Sequence, residues 1–364
     1  MTESTLTNSA VPVALGRPAL TPVPFDPELV PMLDALAASP QPPLTEETLV
    51  AMRGGGGPAF PGGAAVAAEL GVSAEELRIP GPAGAPELEI TVFRPAGSET
   101  GSEAGSDAGS EAGAEAGYGT ALPVLVNFHG GGMIVGHRSW EHARVAELVA
   151  RHGVIGVNVE YRLAPEDPFP AGAEDTYAAT CWVADHAAEL GADPARLIVM
   201  GGSAGGGFAA AVALMARDRG GPRIAGQLLL CPMLDNTNST VSSRQYDGIG
   251  TWQRDANLLA WRCVLGPELA SSADAPAYAA PARAADLSGL PPAFIEVGAA
   301  EMFRDEDTEY ARRIWATGGQ AELHVWAGGC HGFDMYAPGA EITRAALASR
   351  DSWLRRILGG GDRG

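Results

Sequence analysis

The sequence predicts an α/β fold, a mostly parallel sheet with helices on both faces. Three observations predict it. Short apolar runs recur along the chain, and stretches of helical periodicity separate them. Two of those runs end in glycine-rich loops, at His129–Gly132 and at Gly201–Gly205. Hydrophobic residues make up 46% of the 364 residues, enough to bury a sizeable core. Strands that alternate with helices imply parallel pairing with both faces covered.

The elements follow in order. Residues 1–20 read as a disordered tail. Residues 25–54 read as helical in two pieces split at 39–43; Leu29, Met32, Leu33 and Leu36 give the first its stripe. Gly54–Gly57 then breaks the chain. Residues 87–94 alternate apolar and polar, a strand signature. Residues 97–119 are acidic near-repeats with too little apolar surface to offset their ordering entropy. They read as a disordered connection between two strands. Strands are expected at 122–128, 154–160, 196–200, 224–231, 293–297 and 321–326. Helices are expected at 141–152, 172–190, 204–217, 305–317 and 340–358. Residues 236–285 interrupt this alternation and read as an inserted lid. With N-terminal helices at 21–65 they would cap the C-terminal edge of the sheet, where ligands bind in such folds. The core then comprises residues 75–235 and 286–360.

Composition removes several functions. Only 19% of residues are charged, yet the formal net charge is −20. That balance argues against nucleic acid, anionic membranes and highly anionic substrates. The chain contains no lysine, so Schiff-base, Walker-type and Ser-x-x-Lys chemistries are excluded. Cys181, Cys231, Cys263 and Cys330 show no C-x-x-C or zinc-finger spacing and read as free, buried or half-buried thiols. The N-terminus lacks a basic segment followed by an apolar one, and no run of about 18 apolar residues exists. A soluble, cytoplasmic protein without membrane insertion is expected.

Gly201-Gly202-Ser203-Ala204-Gly205 is G-x-S-x-G placed directly after an apolar strand and before a helix. Such a turn presents the serine at the sheet edge and at a helix N-terminus, as a nucleophile requires. A phosphate cradle also follows strands, but the spacing fits G-x-S-x-G better, and no acidic residue follows where a ribose would need one. His129-Gly130-Gly131-Gly132 follows the strand at 122–128. Its glycines let backbone N–H groups approach an oxyanion. Gly131, Gly132 and Ala204 are the candidate donors. His129 is expected to order the glycine loop by hydrogen bonding, not to act as base.

These stretches, with Tyr161–Glu166, Phe169-Pro170, Asp175, Leu287–Pro292 and His331-Gly332-Phe333, resemble the hormone-sensitive-lipase-like family, the bacterial family IV esterases. The motifs stand in the family's order and span roughly residues 85–355. The resemblance implies an α/β-hydrolase fold with an eight-stranded sheet and a helical cap. It also implies hydrolysis of carboxylic esters, often with short or medium acyl chains, without a cofactor.

His331 lies in a glycine-rich loop after a strand and comes last in chain order, as a Ser…acid…His arrangement requires. The other histidines read as surface or packing residues. The family usually carries Asp-Pro-Leu-Arg-Asp-Glu after the preceding strand. Here Glu301-Met302-Phe303-Arg304-Asp305-Glu306 stands there, which places Glu301 at the acid position. Asp305 and Asp307 are rivals, expected on the first turn of the next helix. Arg162, Glu166 and Asp175 read as a buried bracing network. Trp252 and Trp261 either line a substrate pocket or seat the lid on the core. No metal-site spacing is present. The expected partner is a small-molecule ester, and homodimerisation through edge strands is open. An amidase, lactonase or acyltransferase could use the same residues; a non-catalytic small-molecule binder would be expected to have a damaged triad.

Overall fold

The computed structural model describes residues 20–38, 44–51, 53, 60–97 and 121–359. Of the expected tail only Leu20 falls within them, and of the acidic stretch at 97–119 only Gly97. The chain runs α1 (Val30–Ala38), α2 (Glu46–Ala51), α3 (Gly63–Leu70), β1 (Val72–Ile79), β2 (Leu88–Pro95), β3 (Leu122–Phe128), α4 (His142–His152), β4 (Ile155–Val159), α5 (Ala171–Asp185), α6 (Ala187–Leu190), β5 (Ala192–Gly202), α7 (Ala204–Arg219) and β6 (Gly226–Leu230). It continues through α8 (Val241–Gln245), α9 (Arg254–Leu269), β7 (Ala293–Gly298), α10 (Arg304–Ala316), β8 (Ala321–Trp326), α11 (Phe333–Tyr336) and α12 (Glu341–Leu358).

The eight strands form one sheet in the order β1-β2-β4-β3-β5-β6-β7-β8. β1 and β2, and β2 and β4, pair antiparallel; the rest pair parallel. Helices carry the chain between the parallel strands, as such pairing demands. Strand period then sorts the core. Val124, Val126, Phe128, Leu197 and Val199 face one apolar layer, which also holds α5 and α7 side chains. Leu125, Ile198, Met200, Leu228 and Phe294 face the other, against Val145 and Val149 of α4 and Trp353 of α12. Every residue of β4, β6 and β7 is buried, hence their largely apolar sequences, each with one buried polar residue (Asn158, Gln227 and Glu296).

Three differences from the sequence reading have local causes. Residues 66–79, left without elements, hold β1 and most of α3, which starts inside the expected N-terminal helical segment. The segment Glu75-Glu76-Leu77-Arg78 has weak strand propensity, but it pairs residue for residue with β2, and its charges suit an exposed edge. The helix expected at 172–190 breaks at His186, which leaves helical geometry (φ −103°, ψ 18°). Residues 236–285 contain α8 and α9, and α9 is interrupted at Gly266 (φ 73°), next to Pro267. Among the described residues no helix is long and apolar enough to cross a membrane.

The topology places the two glycine loops side by side. The chain leaves β3 toward β4 and returns across it to β5, so the strand order reverses there. Crevices at such switch points bind ligands. Phe128 at the end of β3 pairs with Gly201 near the end of β5. A Cβ on Gly205 would lie 1.9 Å from the Phe128 carbonyl oxygen, so backbone packs directly on backbone.

The first turn of α10 is acidic and buried. Glu306 Oε1 accepts hydrogen bonds from the N–H groups of Leu234 (2.8 Å) and Asp235 (3.0 Å), fastening the segment after β6 to α10. Asp307 is fully buried, and neither of its carboxyl oxygens has a hydrogen-bond partner among the described residues. Burial, reinforced by Glu306 and Glu301, pushes its carboxyl well above the usual range, which favours the neutral acid.

Two outcomes follow. Gly205→Ala should lower stability by at least about 1–3 kcal/mol through overpacking, read as a fall in the urea midpoint; an unchanged midpoint would contradict the close approach. Asp307 has a raised folded-state value, so its contribution is fully present below the unfolded value near 4 and is lost as pH climbs toward the folded one. Asp307→Asn should therefore gain on wild type in melting temperature as pH rises above about 4, until the folded value is passed. A pH-independent difference would show that Asp307 is ionised in the fold.

Candidate active site

β5 delivers Ser203 into a conformation that side chains rarely adopt, φ 56° and ψ −120°. Neighbouring backbone holds it there. The Ser203 N–H donates to the Leu230 carbonyl (2.8 Å), and the Ser203 carbonyl accepts from Met233 (2.9 Å) and Gly207 (3.0 Å). β6 thus supplies part of the force that keeps the strained turn.

Ser203 Oγ lies 3.0 Å from His331 Nε2, and His331 Nδ1 lies 2.5 Å from Glu301 Oε2. The second carboxyl oxygen of Glu301 accepts from the Gly298 N–H at the end of β7 (3.0 Å). The His331 carbonyl accepts from Thr251 Oγ1 (2.5 Å), and Phe303 packs edge-on against the imidazole at 5.1 Å. Burial works against a charged imidazole, but Cys231 and Glu301 outweigh it, so the His331 pKa is raised well above the ordinary 6.5.

The glycine loop folds over the serine. A Cβ on Gly130 would lie 3.6 Å from that of Ser203. Gly131 takes φ 114°, and its carbonyl accepts from the N–H groups of Ile134 (3.1 Å) and Val135 (2.9 Å), closing a tight turn. Among the described residues no acceptor meets the N–H of Gly131 or Gly132. Ala204 opens α7, where backbone N–H groups lack helical partners. His129 is buried away from this cluster. Its ring stacks on Tyr161 at 4.1 Å, and its Nδ1 lies 2.7 Å from the Gly130 carbonyl oxygen, so it orders the loop.

The other named residues separate. Asp305 does not reach His331; its carboxylate accepts from Arg304 Nε and from the Ser242 N–H, each at 2.8 Å. Trp252 is half-buried against the glycine loop: a Cβ on Gly132 would lie 2.6 Å from its ring. Its indole N–H donates to Asn257 (3.1 Å). Trp261 is fully buried in the core. Arg162 grips Asp175 through two hydrogen bonds of 2.8 and 2.7 Å. Glu166 corrects the expectation of one buried network: it is solvent-exposed and pairs instead with Arg53, which also donates to the carbonyls of Ile134 and Ala164. A surface position after Pro165 leaves that carboxylate in water.

Two features escaped the sequence reading. One is a buried ion network beneath the serine turn. Arg144 bonds Glu141 (2.7 Å) and Asp334 (2.9 Å); Arg350 bonds Asp334 (2.8 Å) and Glu296 (2.7 Å). Burial alone would raise Asp334, yet Arg144 and Arg350 hold it far below the carboxylate range. Asp334 lies three residues after His331 and Glu296 on β7, so one network braces the strand and loop that carry Glu301 and His331. No local spacing marks it, because its members lie far apart in the chain. The other is Cys231, just past β6, whose sulfur sits beside His331 and Glu301. Burial pushes its thiol up.

Comparison with known proteins gives the family of the fold. The profile of the alpha/beta hydrolase fold family matches residues 125–335. Carboxylesterase NlhH of Mycobacterium tuberculosis is 40% identical over 244 residues, 65% of this chain and 74% of that one. Esterase LipI of the same organism is 38% identical over 247 residues, again 65% and 74%. The solved structure of a bacterial heroin esterase superposes with a TM-score of 0.76 at 35% identity, covering 92% of this chain and 98% of that one. With its eight-stranded sheet and its glycine motifs in order, the chain belongs to the alpha/beta hydrolase fold family and stands among its hormone-sensitive-lipase-like esterases.

Proposed function

We propose that the chain hydrolyses carboxylic esters through a Ser203–His331–Glu301 triad and an acyl-enzyme. The observation that carries this is the unbroken line from Ser203 Oγ to His331 Nε2 (3.0 Å) and from Nδ1 to Glu301 (2.5 Å). With Glu301 ionised, Nδ1 donates to it, and the lone pair on Nε2 faces the serine hydroxyl. His331 takes that proton as Ser203 attacks the carbonyl. Negative charge develops on the carbonyl oxygen, and the N–H groups of Gly131, Gly132 and Ala204 are its donors, each worth on the order of 3 kcal/mol. His331 then protonates the leaving alcohol, and water releases the acid by the reverse steps.

The extra methylene of glutamate is accommodated because Gly298 anchors one carboxyl oxygen and leaves the other on the histidine. The segment at 236–285 reads as a cap on this site: Thr251 touches the His331 loop and Trp252 touches Gly132. The N-terminal segment joins it, since Asp26 donates to the Gly328 carbonyl (2.9 Å) and Arg53 holds the chain beyond the oxyanion loop. Trp252 then lines the acyl side, and Trp261 seats the cap. A ring so close to Gly132 favours short to medium acyl chains.

Initial rates on p-nitrophenyl esters from acetate to palmitate test this. Wild type should peak at short chains, and Ser203→Ala should lose on the order of 10⁶-fold in kcat. Glu301→Ala should lose less, about 10⁴-fold. Undiminished hydrolysis by Ser203→Ala would end the triad reading; activity confined to amides or lactones, or to acyl transfer, would move the substrate class.

The pH dependence has a definite sign. His331 must be neutral to act as base, so kcat/KM should rise with pH through an apparent pKa above 6.5. Glu301→Gln removes the negative charge that favours the imidazolium and should shift that limb to lower pH. A limb unmoved by the substitution would place the acid elsewhere.

A further inference from the structure

Ester hydrolysis leaves one donor beside the triad unused. Cys231 follows β6 with φ 38°. Its sulfur, a His331 nitrogen and a Glu301 carboxyl oxygen all lie within 4.8 Å of one another. Three residues distant in sequence thus converge as one sulfur, one nitrogen and one oxygen, the donor types that zinc accepts. Tetrahedral ligands at zinc's bond lengths stand about 3.3–3.8 Å apart, so side-chain shifts of roughly 1 Å would close the set.

We propose that Cys231, His331 and Glu301 form an inhibitory site for a thiophilic divalent cation, zinc or cadmium. Binding replaces the thiol proton, which leaves to solvent, with a metal–sulfur bond. The ion also takes the single in-plane lone pair of the neutral imidazole. Whichever ring nitrogen it occupies, the other then carries the proton, and Ser203 has no base. Inhibition therefore rests on the triad reading, whereas binding does not. Magnesium and calcium, which favour all-oxygen ligand sets, are not expected to bind here.

The test uses the full chain. Wild type, Cys231→Ser and Cys231→Ala are assayed on p-nitrophenyl acetate with zinc chloride in a buffer free of chelator, followed by EDTA. Wild type should be inhibited at micromolar zinc and recover with EDTA, with no effect of millimolar magnesium. Loss of an outer-shell partner alone costs about 10–100-fold in metal affinity, so both Cys231 variants should need at least tenfold more zinc. Separately, Ser203→Ala protein is titrated with cadmium chloride and watched for the ultraviolet thiolate-to-cadmium band. That band should weaken or vanish in Ser203→Ala/Cys231→Ser. Equal zinc midpoints for wild type and the Cys231 variants, or a cadmium band indifferent to Cys231, would overturn the site. A Cys231-dependent band in a chain that hydrolyses no ester would sustain the metal site and sink the ester-hydrolysis reading.

Discussion

Backbone lies against backbone where the ends of β3 and β5 meet, and the site is arranged around that contact. Gly205 sits so close to the Phe128 carbonyl that no side chain fits between them. This closeness sets Gly130 beside Ser203 and brings the glycine loop over the serine. The serine's own strain belongs to the same arrangement. A turn this tight forces φ 56° on a residue with a Cβ, and hydrogen bonds with Leu230 at the end of β6, with Met233 just beyond it and with Gly207 of α7 oppose its relaxation. A strained residue on a rigid sheet keeps its geometry when a substrate arrives.

Charge does for the other half of the site what close packing does for the serine. His331 and Glu301 come from loops, which drift unless tied. The ties are ionic and buried: Asp334 shares Arg144 and Arg350, and Arg350 also holds Glu296. Such a network is weak evidence for net stability, because desolvation offsets much of the attraction. Its geometry is directional, however, and arginine's planar fork fixes angles that lysine could not. The chain has no lysine. The buried Asp307 of α10 is the counter-example: among the described residues no cation pairs with it, and its surroundings favour the neutral acid.

Much of this was legible in the sequence for physical reasons. Central parallel strands are buried on both faces, so β3, β4 and β6 stand out as apolar runs. Glycine loops at strand ends have little purpose except close approach, so Gly131, Gly132, Ser203 and Ala204 could be named together. His331 and Glu301 were readable through motif order, although the glutamate departs from the aspartate usual in the resembling family. What was not legible depends on tertiary contact. β1 is strand-like only because β2 is beside it. The fates of Trp252 and Trp261 diverge although both lie in one segment, because only α9 turns the second inward. Cys231 and the Arg144–Asp334–Arg350 network join residues up to 206 positions apart (350 − 144), beyond any local pattern.

One contact between the segment at 236–285 and the proposed base would have a kinetic meaning. Thr251 donates its hydroxyl to the His331 carbonyl, and the next residue, Trp252, lies on the oxyanion loop. A segment that lifts to admit an ester takes both away at once, loosening the base and baring the loop. Entry and chemistry would then exclude each other in time: the open molecule receives substrate but transfers protons poorly, and the closed molecule does the reverse. On the proposed triad and cap, the arrangement would work as an interlock, in which the door shuts before the reaction starts.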